Sequence, residues 1–419
     1  MPEARRDNDA RSLSALGPWS FVFAFGLVSL FADMVYEGAR SIIGPYLAML
    51  GASATLVGLV AGTGELIGYG LRLGSAYFVS RTRHYWTWTI VGYALTVLSV
   101  PLIGAGGGLL SAMLLYGGER LGKAVRSPAK DTLLSHASTA TGRGKAFGVH
   151  QFMDQLGAVA GPLLLAAMLA WRPFDYRLAF ATLAVPGALV LLILLWLRAR
   201  VPEPQVYEFP NGAVPEPAVG APPVKTASLM TASVLPARYW QFVVSIALLS
   251  CGIASFPLLA FHAQTRHLLS DAMVPVLFAV AMLVDGVTGL VVGHVYDRRG
   301  PVVLLAVPIA AAGAALAFAD SPGLVWLGVA IWGMVNGILD STVKAAVTGL
   351  VPSGSRALAF GWLSLVRGVG LLVAGGLLGV AYDHGIGVAI VLIVAANLLA
   401  LIGLARVVIS RDRSDASLT

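Results

Sequence analysis

The chain has 419 residues, 57% of them hydrophobic and 12% charged, with a mean hydropathy of +0.81. Water-soluble domains carry about one-quarter charged residues, so this composition excludes a soluble fold and specifies a membrane protein. The net charge of +7 lies largely in the loops between apolar stretches, which is a topology signal and gives no reason to expect nucleic-acid binding.

The N-terminal "MPEARRDNDARSLSALGPWSF" sets basic residues before an apolar run, as signal peptides do. That run contains Asp33 and Glu37 and ends in no small-residue cleavage pattern, so it is expected to stay as the first helix. Crossing a bilayer takes about 20 apolar residues, and twelve such stretches follow: 18–43, 53–79, 84–105, 107–135, 144–171, 177–199, 238–262, 272–296, 301–320, 323–351, 356–382 and 385–410. Long apolar runs without dyad alternation mean helices and not a barrel, because every backbone polar group in hydrocarbon must be paired. Between the sixth and seventh stretches lies a Pro-, Gly- and Ala-rich connection without helical periodicity. The expected fold is an all-α polytopic membrane protein, twelve transmembrane helices in two pseudo-symmetric six-helix bundles. Its parts are an N-terminal tail (1–17), a first bundle (18–199), a linker (200–237), a second bundle (238–410) and a tail (411–419). Seventeen Lys and Arg fall on the side of the termini and three (Arg172, Arg177, Arg266) on the other, which puts both termini in the cytoplasm of a cell-membrane protein. The single cysteine, Cys251, excludes an internal disulfide.

The halves echo each other: "AFGVHQFMDQLGAVA" (146–160) and "AFGWLSLVRGVGLLV" (359–373) open the fifth helix of each half. "GHVYDRRGP" (293–301) joins the second and third helices of the second half. With Gly293, Asp297, Arg298 and Gly300 it resembles the loop signature of the major facilitator superfamily. The corresponding loop of the first half, "AYFVSRTRHYW" (76–86), keeps Arg81 but has Ser80 where the pattern has Asp and Arg83 where it has Gly. Arg120 falls in the fourth helix, where many proton-coupled members carry an arginine, and "GAVAGP" (157–162) is similar to part of the glycine–proline motif of the antiporter branch. The resemblance covers nearly the whole chain. It implies two bundles rocking about a midplane site, with the first, fourth, seventh and tenth helices lining a central cavity, a conformational lock at Asp297 and Arg298, and a monomer.

Charged residues inside spans must face a cavity or one another. Glu119, Lys123, Arg126 and Lys130 recur at four, three and four residues, one face of the fourth helix. Asp33, Glu37 and Arg40 share a face of the first span; Glu65, Tyr69 and Arg72 of the second; Asn336, Asp340 and Lys344 of the tenth. The intramembrane charges number eight acidic and eight basic, twelve of them before the linker, so ion coupling is expected in the first half. An acid raised in pKa by burial and lowered by a nearby arginine can load and release a proton. Asp33, Glu37, Glu119, Arg120 and Asp154 are the coupling candidates. Arg40, Lys123, Arg126, Asn336, Asp340 and Lys344 are the substrate-cavity candidates. Arg126, Lys130, Asp131 and Arg72 sit toward helix ends, where snorkelling or bracing a gate is the alternative. His150 and Asp154, one turn apart, are either part of a relay or a packed polar pair. Asp285 and Arg367, each alone on an apolar helix, are expected to meet.

"GERLGK" (118–123) has too few residues between its glycines for a phosphate-binding loop. No histidine spacing suggests a metal, and no Ser-His-Asp set can be assembled from residues scattered over different spans. The expectation is a non-enzymatic, cofactor-free secondary transporter. Its expected partners are a small polar or charged solute, protons and the lipid bilayer, with no nucleic acid, and export is the favoured direction. A proton-driven importer of an organic anion or other metabolite is the alternative, and a non-transporting membrane sensor the reading from another class.

Overall fold

The computed structural model describes residues 16–208, 235–352 and 355–416; most of the expected linker lies outside them. Among the described residues every regular element is helical. In the first half these are α1 (Pro18–Met49), α2 (Ala54–Thr82), α3 (Tyr85–Ala105), α4 (Leu109–Thr141), α5 (Arg143–Trp171) and a sixth crossing made of α6 (Tyr176–Thr182) and α7 (Ala184–Arg200). The second half has a seventh crossing broken into α8 (Ala237–Cys251) and α9 (Phe256–Thr265), then α10 (Met273–Arg299). Its ninth crossing combines two 3-10 turns with α11 (Ala306–Gly313), and α12 (Pro322–Leu350), α13 (Arg356–His384) and α14 (Ile386–Ala416) follow.

Ten helical stretches have the length and hydropathy to cross a membrane. One of them, Met273–Phe318, is 46 residues long, about 69 Å if straight, more than twice a hydrocarbon core. It turns at Gly300, whose φ of 66° belongs to the left-handed region, and therefore makes two passes. The thirty-three-residue α4 is left out of the ten by its own charges. These two features make the structure consistent with twelve crossings.

Helix ends follow local chemistry. Proline leads α1 and α12, where its missing N–H costs nothing, and Ser53 caps α2 by accepting from the Leu56 N–H at 3.3 Å. At the first-half counterpart of Gly300, Arg83 terminates α2 with φ 56°, a conformation that is unfavourable for a residue with a Cβ.

The bundles meet along two long seams, α2 with α13 and α5 with α10, and where α9 packs on α1. Gly58 and Gly375 face each other so closely that a Cβ on either would strike the other's backbone. Two carboxylates of the second half reinforce this end, the far face, which lies opposite the described ends nearest both termini. Asp383 accepts from the N–H groups of Ala54 (3.2 Å) and Thr55 (2.9 Å) and from the Thr55 hydroxyl (2.6 Å). Asp271 accepts from the Phe174 N–H at 3.1 Å and the Tyr176 hydroxyl at 3.3 Å. Toward the terminal face the seams loosen: a Cβ on Gly74, Gly148 or Gly293 would meet nothing within 4 Å. The bundles are thus latched at the far face, with open space along the seams toward the terminal face.

A buried charge network as the candidate functional site

The stripes read from the sequence converge. On α1, α2 and α4 six charges alternate in sign along one chain. Lys123 Nζ lies 3.9 Å from Glu37 Oε1, and Glu37 Oε2 lies 3.5 Å from Arg40. Arg40 and Arg120 share Glu65 Oε1 at 3.3 and 3.5 Å, and Arg120 Nε lies 3.1 Å from Glu119. Arg120 also donates to the Tyr116 hydroxyl at 2.9 Å. Three acids and three bases leave the chain neutral, the condition under which buried charges are tolerated. Arg40 reaches across to the second half, its guanidinium 5.9 Å from the Phe278 ring centre and 6.0 Å from that of Trp332, within cation–π range.

One to two turns nearer the terminal face, α1, α4 and α5 hold a second group. His150 is 2.7 Å from the Ser29 hydroxyl through Nε2 and 3.3 Å from Asp154 through Nδ1. Lys130 approaches the same carboxylate oxygen at 4.0 Å. The neighbouring Asp33 makes no ion pair within 4.0 Å among the described residues. This proximity exists because Gly157 and Gly161 bring α5 onto the α1 backbone at Leu30 and Met34, with the Asp33 Cβ beside Gly157. A Ser-His-Asp arrangement is therefore assembled after all, because helix packing joins residues that the sequence scatters. It is not laid out for hydrolysis, since Ser29 is 1% exposed and no substrate carbonyl can approach it.

The remaining candidates separate by depth. Arg126 does not snorkel: it is 3% exposed, its guanidinium 4.3 Å from the Tyr93 ring centre and 5.3 Å from that of Tyr36. Lys123 covers Tyr36 at 4.0 Å. Asp131, Asp340 and Lys344 are exposed toward the terminal face, and Asn336, half-buried, donates to the Trp332 carbonyl in its own helix at 2.9 Å. Arg367 pairs with Asp340 at 3.4 Å and not with Asp285, which packs instead against Gly337. Arg367 also lies 5.3 Å from the ring centre of Tyr69, as does Arg72, which ties the second half to α2. In the loop motif, Gly293 and Gly300 are half-buried, and Asp297 and Arg298 are exposed on the face where the seams are open. Its first-half counterpart is bonded within its own helix: Ser80 donates to the Tyr77 carbonyl at 2.8 Å and Arg81 to the Tyr77 hydroxyl at 3.0 Å, both on the exposed surface of α2.

No group of three or more potential metal ligands occurs among the described residues. A groove of about 840 Å³ lined by Trp19, Phe23, Leu27, Val149, Leu192 and Trp196 is apolar and lies on the outer surface between α1, α5 and α7, and none of these charges lines it.

The family model of the Major Facilitator Superfamily matches residues 27–375 and 269–418. The chain is a member of that superfamily. It is 44% identical over 389 residues, 93% of each chain, to an uncharacterized protein of Mycobacterium tuberculosis and to one of Mycobacterium bovis. An uncharacterized MFS-type transporter of Methanocaldococcus jannaschii is 26% identical over 179 residues, 43% of this chain and 45% of its own. Among solved structures, a point mutant of the nucleoside transporter NupG superposes with a TM-score of 0.75 at 10% identity, covering 92% of this chain and 99% of its own. A POT family transporter in complex with a thioalcohol-conjugated peptide gives 0.72 at 13% identity, covering 94% and 96%. At such identities these structures show the fold. The protein is a multi-pass membrane transporter of the MFS type, acting on a small molecule.

Proposed function

We propose that this transporter is a secondary active carrier in the cell membrane, with both termini cytoplasmic. It moves a small polar or charged solute by alternating access and couples that movement to protons. The observation that carries the reading is the buried, sign-alternating chain from Lys123 to Glu119, continued toward the opposite bundle by Arg40. A purely structural bundle would replace such a chain with apolar packing at no loss of stability. Here the charges lie where the first, second and fourth helices meet, and the first two of these pack on the second half, so rocking of the bundles changes their surroundings. The latched far face and open terminal face support a resting state accessible from the cytoplasm. Export is the favoured direction, supported by the partial glycine–proline motif at 157–162.

The test compares small-molecule pools inside and outside cells lacking the protein with those of cells restored by the intact gene. A solute accumulating inside the deficient cells names an exported substrate; one left unused outside names an imported one. Identical pools across several growth conditions refute the proposal.

A further inference from the structure

Resting on that reading, we propose that the coupling proton binds at the His150 imidazole, in the cradle formed by Ser29, Asp154 and Lys130, and not on the six-charge chain. Ion pairing separates the two clusters. The chain is neutral as it stands, so a proton on Glu37, Glu65 or Glu119 strands a cation in a low-dielectric interior, which is costly. In the second cluster the Asp154 carboxylate lies 3.3 Å from the imidazole and 4.0 Å from Lys130, so a proton taken up by His150 meets a carboxylate directly. The imidazolium is paired as it forms, and no arginine or lysine of the chain loses its partner.

The hydrogen-bonding geometry accommodates both protonation states without rearrangement. With His150 neutral, its Nδ1–H donates to Asp154 and the Ser29 hydroxyl donates to Nε2. With His150 protonated, both ring nitrogens donate, and the same serine oxygen becomes the acceptor, since a hydroxyl can serve either way. Histidine is the side chain whose unperturbed titration falls nearest neutral pH, and His150 itself is 4% exposed. Lys130 and Asp154 have side-chain exposures of 15% and 18%, so the cluster reaches the accessible surface through them while the imidazole stays inside. The groups facing the imidazole are Ser29 and the Phe25 ring from α1 and Asp154 from its own helix; Lys130 from α4 meets it through Asp154, and Asp33 lies one turn farther along α1, beside Gly157. Lys123, Arg126 and Asp131 stand one to two turns away on α4.

The experiment uses the full-length protein in lipid nanodiscs with isotope-labelled histidine, following imidazole resonances by NMR from about pH 4.5 to 9, a range that brackets the ordinary histidine titration. His150→Gln identifies the His150 signal. It is expected to gain one proton across the range, with the transition displaced in Asp154→Asn, whose carboxylate lies 3.3 Å from the ring, and in Lys130→Met, whose ammonium shares that carboxylate. A His150 signal that keeps one protonation state across the range, or a transition that ignores both substitutions, overturns the proposal. The two levels of the reading come apart in membrane vesicles tested with the solute named by the pool comparison. If a pH gradient drives that solute equally well through wild-type and His150→Gln protein, proton coupling stands and this site is refuted. If no gradient drives it through wild-type protein, proton coupling itself fails.

Discussion

Removing the Asp383 carboxylate tests whether the far-face latch holds the resting state. Asp383→Ala deletes three hydrogen bonds to the first turn of α2. The aspartate acts as an N-terminal cap supplied by another helix, and loss of such a cap costs about 0.5–2 kcal/mol. Its side chain is exposed, so the larger values for buried charged groups do not apply, and about 1–2 kcal/mol is the working figure. The bonds exist only while the far face is shut, so their loss leaves the other conformation untouched and shifts the equilibrium toward it by about 5- to 30-fold. The reporter is Ala54→Cys on a Cys251→Ser background. Ala54 is 0% exposed and lies beneath Gly379 of the opposite half, so maleimide reaches it only when the seam parts. Labelling should accelerate by that factor in Asp383→Ala. The control is Arg266→Ala, which removes an ion pair to Asp320 whose side chains are 50% and 66% exposed; such pairs are worth little, and its rate should be unchanged. An acceleration of less than about two-fold in Asp383→Ala, with folding intact, refutes the latch.

Three other outcomes are expected. Glu65→Gln leaves Arg40 and Arg120 with Glu37 and Glu119 alone and the chain with one cation in excess, and should destabilise the detergent-solubilised protein by about 3–5 kcal/mol, seen as a large drop in thermal midpoint. Arg83→Gly relieves a left-handed residue and should raise stability by about 1 kcal/mol, with no change in Ala54→Cys labelling. Gly375→Val places a side chain where only a backbone fits, so it should leave Ala54→Cys reactive at all times and block transport, while thermal unfolding remains cooperative.

Much of the site is legible in the sequence because charge spacing of three and four residues fixes which residues share a helix face. Asp33, Glu37 and Arg40, and likewise Glu119, Lys123 and Arg126, are placed on shared faces in this way. Periodicity does not say which helix a face meets. The Asp340–Arg367 pair, the contact of Ser29 with His150 and the position of Glu65 between two arginines depend on the packing of helices against one another, and nothing local encodes that. Arg126 illustrates a second limit. Nearness to a helix end suggests snorkelling, but Tyr36 and Tyr93, from two other helices, enclose its guanidinium and hold it inside. The Arg83 departure from the loop motif is visible in the sequence, and its backbone cost follows from the glycine it replaces.

The interrupted seventh crossing bears on how such a carrier moves. Trp332 and Asn397 donate to the carbonyls of Ala254 and Gly252 at 2.8 and 3.0 Å, so the gap between α8 and α9 is stabilised and persistent. Beyond it, α9 packs mainly on α1, with Gly44 against the Pro257 backbone, whereas α8 packs on α13 and α14. The outer third of this crossing is therefore joined by sequence to one body and by packing to the other. In the alternating-access cycle proposed above, it would stay behind like a hinged shutter as the bodies part, enclosing the solute from both sides.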